Sequence, residues 1–503
     1  MPSAIRSALL LPAFLFLAAP CLGAEQFDQL LARVPDSANG VIFINVPGLH
    51  KSTLGKKEHW DTQHQTNYLG GVTAIPPTVN RLIIAAQINE RTLSSAWSIA
   101  VADMDKQISM PELAKREGGT LDEVGGLPVL ASLRDAYFVQ FGPQVVGTMF
   151  PANRQELSRW IQSARQNSQP VVSPFLRESA PTAYDPSQIV LAVDTTDLLD
   201  PKQLARALSQ MKTFAKKKVD FDELAATISG IKGLRFSVRV DSEINGKLTL
   251  EFGKSIASIR DLIKPLILEL MEIRSASIED MDDWKASGAY TSYALEGKLT
   301  AKGLRQVMSI IQMPLGRFQA QVPTSGPGAN PKAAASLAYY KAINTLIDDL
   351  EVKQGAKHQS FQRVGIWHSK YAEKIDALPL LNVDEELINW GAKVSSMFRA
   401  LASSFGGIEL SLGTVQKYKA EFTVTSPGSW GGVGAYGPYG GYAGYGAYTP
   451  ATSYLTNNFA QIRSMQDAVA NQGTRARNEM WRIINDDQAA IRRRMTAKYN
   501  VAF

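Results

Sequence analysis

Apolar residues come in two patterns along this chain. Over roughly the first 300 residues they gather in short runs bounded by Gly, Pro or Asn: 41–46 (VIFINV), 81–88 (RLIIAAQI), 96–102 (AWSIAVA), 137–141 and 144–149. Runs of that length and punctuation predict strands. Between and after them the spacing turns helical. Pro111 opens a short helix, and Asn153 caps a longer one in which Leu157, Trp160, Ile161 and Ala164 follow the i, i+3, i+4, i+7 rule. Four prolines within 169–186 close this block.

A second block restarts with the strand run 188–194. Asp200 then serves as N-cap and Pro201 as first helical residue, with Leu204, Ala207, Leu208 and Met211 as the apolar stripe. The runs 233–240 and 246–252 alternate with period two and predict an antiparallel hairpin. A helix over 255–273 should bury Ile256, Ile259, Ile263, Leu266 and Leu270 and kink at Pro265, and 289–296 reads as a further strand. Both blocks share this order of strand, hairpin or meander, and flanking helices. The prediction is an α+β fold of antiparallel sheets covered by helices, with a duplicated unit as its simplest origin.

The second pattern follows. A Pro/Gly-rich linker occupies 313–332, and 333–425 is mainly helical with a terminal hairpin over 408–412 and 415–424. Its best helix is capped near Asp384 and carries Leu387, Val394, Phe398, Leu401 and Phe405. The segment 426–456 breaks all periodicity. Tyr436, Tyr439, Tyr442, Tyr445 and Tyr448 recur at every third residue among Gly and Ala. A spacing of three matches a polyproline II turn, and the segment reads as a flexible linker or a weakly adhesive one. The last stretch, 457–503, is a basic amphipathic helix. Met480, Ile484, Ile491 and Met495 form a coiled-coil-like seam, with Arg492, Arg493 and Arg494 beside it. The expected organisation is therefore a 1–24 leader, α+β blocks at 25–180 and 187–312, and the linker, helical block, tract and tail just described.

The leader carries one basic residue, Arg6, an apolar run from about 8 to 19, and small residues around Gly23 and Ala24. That is the layout of a secretory signal peptide, too short to span a bilayer. Pro20 directly before Cys21 argues against a lipoprotein cleavage site. The expectation is an exported protein of the periplasm or cell envelope. Cys21 is the chain's one cysteine. A mature form lacking it has neither disulfides nor thiol chemistry, so its stability must come from apolar burial.

Charge sharpens the picture of the tail. The chain is +6 overall, and from 459 onward eight Lys/Arg stand against four Asp/Glu. The body is close to neutral and the surplus sits at the C-terminus. Such a helix packs back on the body, self-associates, or meets an envelope protein, a glycan or an anionic membrane surface. Nucleic acid is not expected, because no basic stripe is interleaved with aromatics.

Candidate chemistry is sparse. No phosphate-binding glycine loop, GxSxG elbow or HExxH helix is present. The densest polar patch is Glu58, His59, Asp61 and His64, a weak metal-ligand candidate whose histidines, five apart, would diverge on a helix. The acidic pairs Asp282-Asp283 and Asp348-Asp349 and the run Asp384–Glu386 read as caps and solvated helix faces. No cofactor is expected. Pro35-Asp36-Ser37-Ala38-Asn39, Ile44-Asn45-Val46, Lys57-Glu58-His59-Trp60, Ala74-Ile75-Pro76-Pro77 and Pro151-Ala152-Asn153-Arg154-Gln155 resemble segments of a family of exported bacterial proteins of the planctomycete type. The resemblance implies export and no reaction. The favoured reading is a non-catalytic envelope protein with a binding or assembly role. The alternative is an exported hydrolase or metal-dependent enzyme built around Glu58–His64.

Overall fold

The computed structural model describes residues 22–60, 78–89, 95–117, 119–132, 135–183, 187–215, 219–311, 330–351, 364–376, 378, 380, 382–404 and 474–503. The expected hairpin at 408–424 and most of the linker lie outside these residues.

The apolar runs become strands: β1 (Gly40–Asn45), β2 (Val79–Ile88), β3 (Ser95–Met104), β6 (Ala136–Gly142), β7 (Val145–Phe150), β8 (Ile189–Asp194), β9 (Ile231–Val240) and β10 (Ile244–Phe252). Two further hairpins complete the set, β4 (Gly119–Val124) with β5 (Leu127–Ser132), and β11 (Lys285–Ala289) with β12 (Ser292–Lys298). All twelve join one antiparallel sheet in the order β11-β12-β10-β9-β8-β1-β2-β3-β7-β6-β5-β4. The α+β class and the helical C-terminal block are as the pattern predicts.

At the centre of the sheet β1 pairs with β8, Ile42 facing Leu191. The chain then runs outward in the same way on both sides. β1 is followed by α2 (Val46–Lys51) and α3 (Thr53–Lys57), the β2–β3 pair, α4 (Met110–Glu117), and the strands that end in β6–β7. β8 is followed by α7 (Pro201–Ser209) and α8 (Phe221–Ile228), the β9–β10 pair, α9 (Arg260–Ile273), and β11–β12. In each half the last strand returns to pair with the third, β7 on β3 and β12 on β10. The two blocks are thus topological repeats that share one sheet, and β4–β5 is an addition to the first.

The central strands are buried on both faces, which explains why they read as continuous apolar runs. On one face, Val41, Phe43, Ile83 and Val190 meet α1 (Leu22–Leu31), α5 (Arg154–Gln166) and α6 (Pro174–Ser179) through Phe27, Leu157, Trp160 and Leu176. On α1, Phe27, Leu30 and Leu31 are buried. On the other face, Ile42, Ile84, Leu191 and Val238 belong to one large core with α7–α9 and α10 (Ala301–Val307). That core extends into α11 (Pro331–Leu350), α12 (Gly365–Asp376), α13 (Glu385–Ser404) and α14 (Thr474–Tyr499).

Local signals hold at the helix starts. Asn153 accepts from the N–H groups of Gln155 and Glu156, and Asp200 from those of Lys202 and Gln203. In α9, however, Leu270 is 41% exposed, although the stripe predicted it inward. The helix starts at Arg260 rather than near 255, so only Ile263 and Leu266 of the predicted stripe are buried within it.

Candidate functional site

The patch Glu58–His64 begins at the end of α3. Ser52 caps that helix by accepting from Gly55 N–H, and Glu58 closes it with its own N–H to Leu54 O. His59 follows in the left-handed region at φ 53°, exposed, and Trp60 is buried in the main core. Asp61 and His64 lie outside the described residues. Among the described residues no group of three or more His, Cys, Asp or Glu is placed to hold a metal ion, and no helix is long and apolar enough to cross a membrane. At the outer edge of the sheet a groove of about 630 Å³ is lined by Ile108, Ser109, Met110, Leu121, Asp122 and Gln140, among others. Its one titratable group, Asp122, is held below its usual pKa by the Arg154 guanidinium.

The C-terminal helix is the more informative region. Met480, Ile484, Ile491 and Met495, the four residues of the predicted seam, are fully buried, and α14 packs along α13. Polar bonds register it. Lys393 pairs with Asp487 at 2.5 Å, Asn485 Nδ2 donates to Glu351 Oε1 at 2.9 Å, and Gln488 Nε2 donates to Asn344 Oδ1 at 3.1 Å.

The last turn is clamped by a buried carboxylate. Asp384 caps α13 by accepting from Glu386 N–H, and its Oδ2 receives Tyr499 Oη at 2.5 Å and Lys498 Nζ at 2.9 Å. Burial alone would raise the Asp384 pKa, but the bonds from Tyr499 and Lys498 outweigh it and hold the group below the usual carboxylate range. The same bond to Asp384 pushes Lys498 up to about 12. The acidic run Asp384–Glu386, read from sequence as cap and solvated face, is both a cap and the anchor of the tail.

With the seam turned inward, the arginines face outward. Arg492 donates through Nε to the Phe503 carbonyl at 2.7 Å, and Arg494 pairs with Glu386 at 3.3 Å. Arg493 is exposed and has no partner among the described residues. The tyrosines at 436, 439, 442, 445 and 448 lie outside the described residues.

One polar cluster escaped the sequence reading. Arg305 of α10 and Asp349 of α11, 8% and 6% exposed, meet in a bidentate pair with Nε to Oδ2 at 2.6 Å and Nη2 to Oδ1 at 2.5 Å. Tyr371 of α12 donates to the same carboxylate at 3.1 Å. Lys370, 6% exposed, precedes Tyr371 on α12. Asp348-Asp349 was expected to be solvated; Asp348 is exposed, but Asp349 is buried because it falls on the Ala342–Leu346 stripe. Charged residues placed on an apolar stripe were the available signal.

No family model matches the chain, and no curated protein matches it. Among solved structures, three crystal forms of the Treponema protein TP0453 are similar. Form I is 12% identical with a TM-score of 0.34 over 56% of this chain and 98% of that one. Form III is 13% identical with a TM-score of 0.34, covering 55% and 96%, and form IV is 11% identical with a TM-score of 0.33, covering 57% and 98%.

Proposed function

We propose that this is a non-catalytic, exported protein of the cell envelope that binds an anionic surface through its C-terminal helix. The Gly/Tyr-rich segment 426–456 would be the tether and contact strip beside it. The observation that carries the reading is the division of labour on α14. Its apolar seam is consumed inside the protein, so what its last turns offer outward is the exposed row Arg492, Arg493 and Arg494. An exposed basic row on a fixed helix is an electrostatic contact surface worth about 1 kcal/mol per residue against anionic lipid. The neutral body and the single, already paired carboxylate of the edge groove fit a binder better than a catalyst.

The test is co-sedimentation of the full mature chain with vesicles of phosphatidylglycerol and phosphatidylcholine, or of phosphatidylcholine alone. The Arg492→Gln, Arg493→Gln, Arg494→Gln triple variant should bind the anionic vesicles about a hundredfold more weakly, in line with three such contacts. It should melt within a few degrees of the parent, since it loses one exposed ion pair and one part-buried hydrogen bond. Equal binding by parent and variant, or no preference of the parent for anionic vesicles, refutes the reading. Removing 427–503 entirely would not be a clean test, because α14 is part of the core.

A further inference from the structure

We propose that the chain dimerises through one free edge of its sheet, β4 of one copy pairing antiparallel with β4 of a second across a two-fold axis at Leu121. Among the described residues the sheet ends at β11 on one side and at β4 on the other. Thr120, Leu121, Asp122 and Glu123 are exposed, and Leu121, 50% exposed, lines the groove with Ile108 and Met110. The turn fixes which backbone groups this edge offers. Gly125 and Gly126, both at positive φ, form a two-residue turn, so the closing pair Val124–Leu127 exchanges both ladder bonds. Every second pair does the same. Asp122–Val129 and Thr120–Ala131 therefore bond inward, and the N–H and C=O of Gly119, Leu121 and Glu123 point away from β5. Glu123 N–H agrees with that parity, since it donates to Asp122 Oδ1 at 2.7 Å.

The occupant follows from the sequence of the edge, Gly119-Thr120-Leu121-Asp122-Glu123. An antiparallel copy centred on Leu121 sets Leu121 opposite Leu121, Thr120 opposite Asp122 and Gly119 opposite Glu123. The residues with outward N–H and C=O then meet one another, at the axis and on both flanks, once Asp122 releases Glu123 N–H. The half-exposed leucines cover each other, Thr120 gains a carboxylate to donate to, and no like charges stand directly opposite. Asp122 is already neutralised by Arg154. Leu121 lies opposite Leu130, which packs with Met110 of α4, so Leu121 is on the α4 face of the sheet. The axis is perpendicular to the sheet, which keeps both α4 helices on that face and sets the two grooves side by side. The β11 edge lacks this match: its run Lys285–Ala289 holds no apolar side chain larger than alanine, and Lys285 guards it. Because β4 pairs with itself, the interface is isologous and association stops at two copies. One pair of short strands buries less than the roughly 1,200 Å² of a stable complex, so the dimer should be reversible, half formed at about 10–100 µM.

The test uses residues 25–503, which contain no cysteine. In sedimentation velocity from about 1 to about 200 µM the mass of the parent should rise from monomer towards dimer and no further. Leu121→Pro removes the N–H at the axis, one that β5 does not use; this variant should stay monomeric and melt within a few degrees of the parent. A second pair of variants keeps the backbone intact. Under mild oxidation Leu121→Cys should cross-link two chains, because directly opposite residues with exchanged bonds have Cα atoms about 5.5 Å apart, within disulfide reach. Glu123→Cys should not, since its two copies would lie about 14 Å apart along the strands. A parent that stays monomeric overturns the proposal and leaves the edge to a foreign strand. A dimer that survives Leu121→Pro, or cross-linking as ready through Glu123→Cys as through Leu121→Cys, overturns it as well.

Discussion

His368 shows how burial alone sets a residue's chemistry in this protein. It is fully buried on α12, with Nδ1 3.0 Å from Val364 O and its ring edge-on to Phe398 at 5.6 Å and Trp481 at 5.9 Å. Desolvation pushes the imidazole down to about 4, with the Val364 bond acting weakly the other way. An unfolded histidine titrates near 6.5, so between about pH 6.5 and 4 the unfolded chain takes up a proton that the folded chain refuses. This contribution is complete above pH 6.5 and is lost as the pH falls through that window. Urea unfolding at pH 7 and pH 4.5 should show His368→Gln losing about 2–3 kcal/mol less than the parent between the two pH values; equal losses would refute the assignment. At this scale the sequence was readable where the physics is local. The caps Asn153, Asp200 and Asp384 bond N–H groups two or three residues onward, so residue type and position reveal them. Arg305 and Asp349 lie 44 residues apart, and only the fold brings them together.

Among the elements, α14 was the most legible, because a seam at +4, +7, +4 admits one buried face. What the pattern leaves open is the partner, since a copy of the same helix would satisfy it equally; the structure supplies α13. Truncating Ile491, fully buried on that seam, should cost about 2–4 kcal/mol, whereas Arg493→Ala should change stability by less than about 0.5 kcal/mol. Deleting 474–503 should expose apolar surface that binds a hydrophobic dye, and deleting 427–456 should not. Chemical denaturation and dye fluorescence on these four variants decide the point, and a dye-silent 474–503 deletion would mean that the helix is dispensable to the body. The β4–β5 hairpin was missed because its first strand is mostly exposed and carries little apolar signal. Its turn was visible nonetheless: Gly125-Gly126, with φ of 58° and 75°, is the two-residue turn that favours right-twisted hairpins. The run 289–296 reads in sequence as one strand, but it conceals the β11–β12 turn at Tyr290, which is left-handed without being glycine.

At the scale of the whole molecule, the element that decides the architecture is the β1–β8 ladder. Its partners are about 150 residues apart, and each strand reads in sequence merely as the first strand of its own block. Periodicity identifies a strand buried on both faces but not its neighbours, so the individual strands were legible and their fusion into one sheet was not. The seam is reinforced away from the strands, where Thr53 N–H and Oγ1 reach Asp241 Oδ1 and Leu54 N–H donates to Asp241 O at 2.7 Å. Separating the halves would uncover VIFIN on one side and IVLAV on the other, each an apolar strand with a free edge and therefore a template for aggregation. Fragments 25–183 and 187–503, produced separately, should be insoluble or form large oligomers. Produced together they should associate one to one and melt as a single cooperative transition, because β1 and β8 then cover each other's edges. Size-exclusion chromatography with calorimetry is the measurement. If either fragment alone behaves as a soluble monomer with its own cooperative melt, the central ladder is an interface between independent domains, and the twelve strands are not one folding unit.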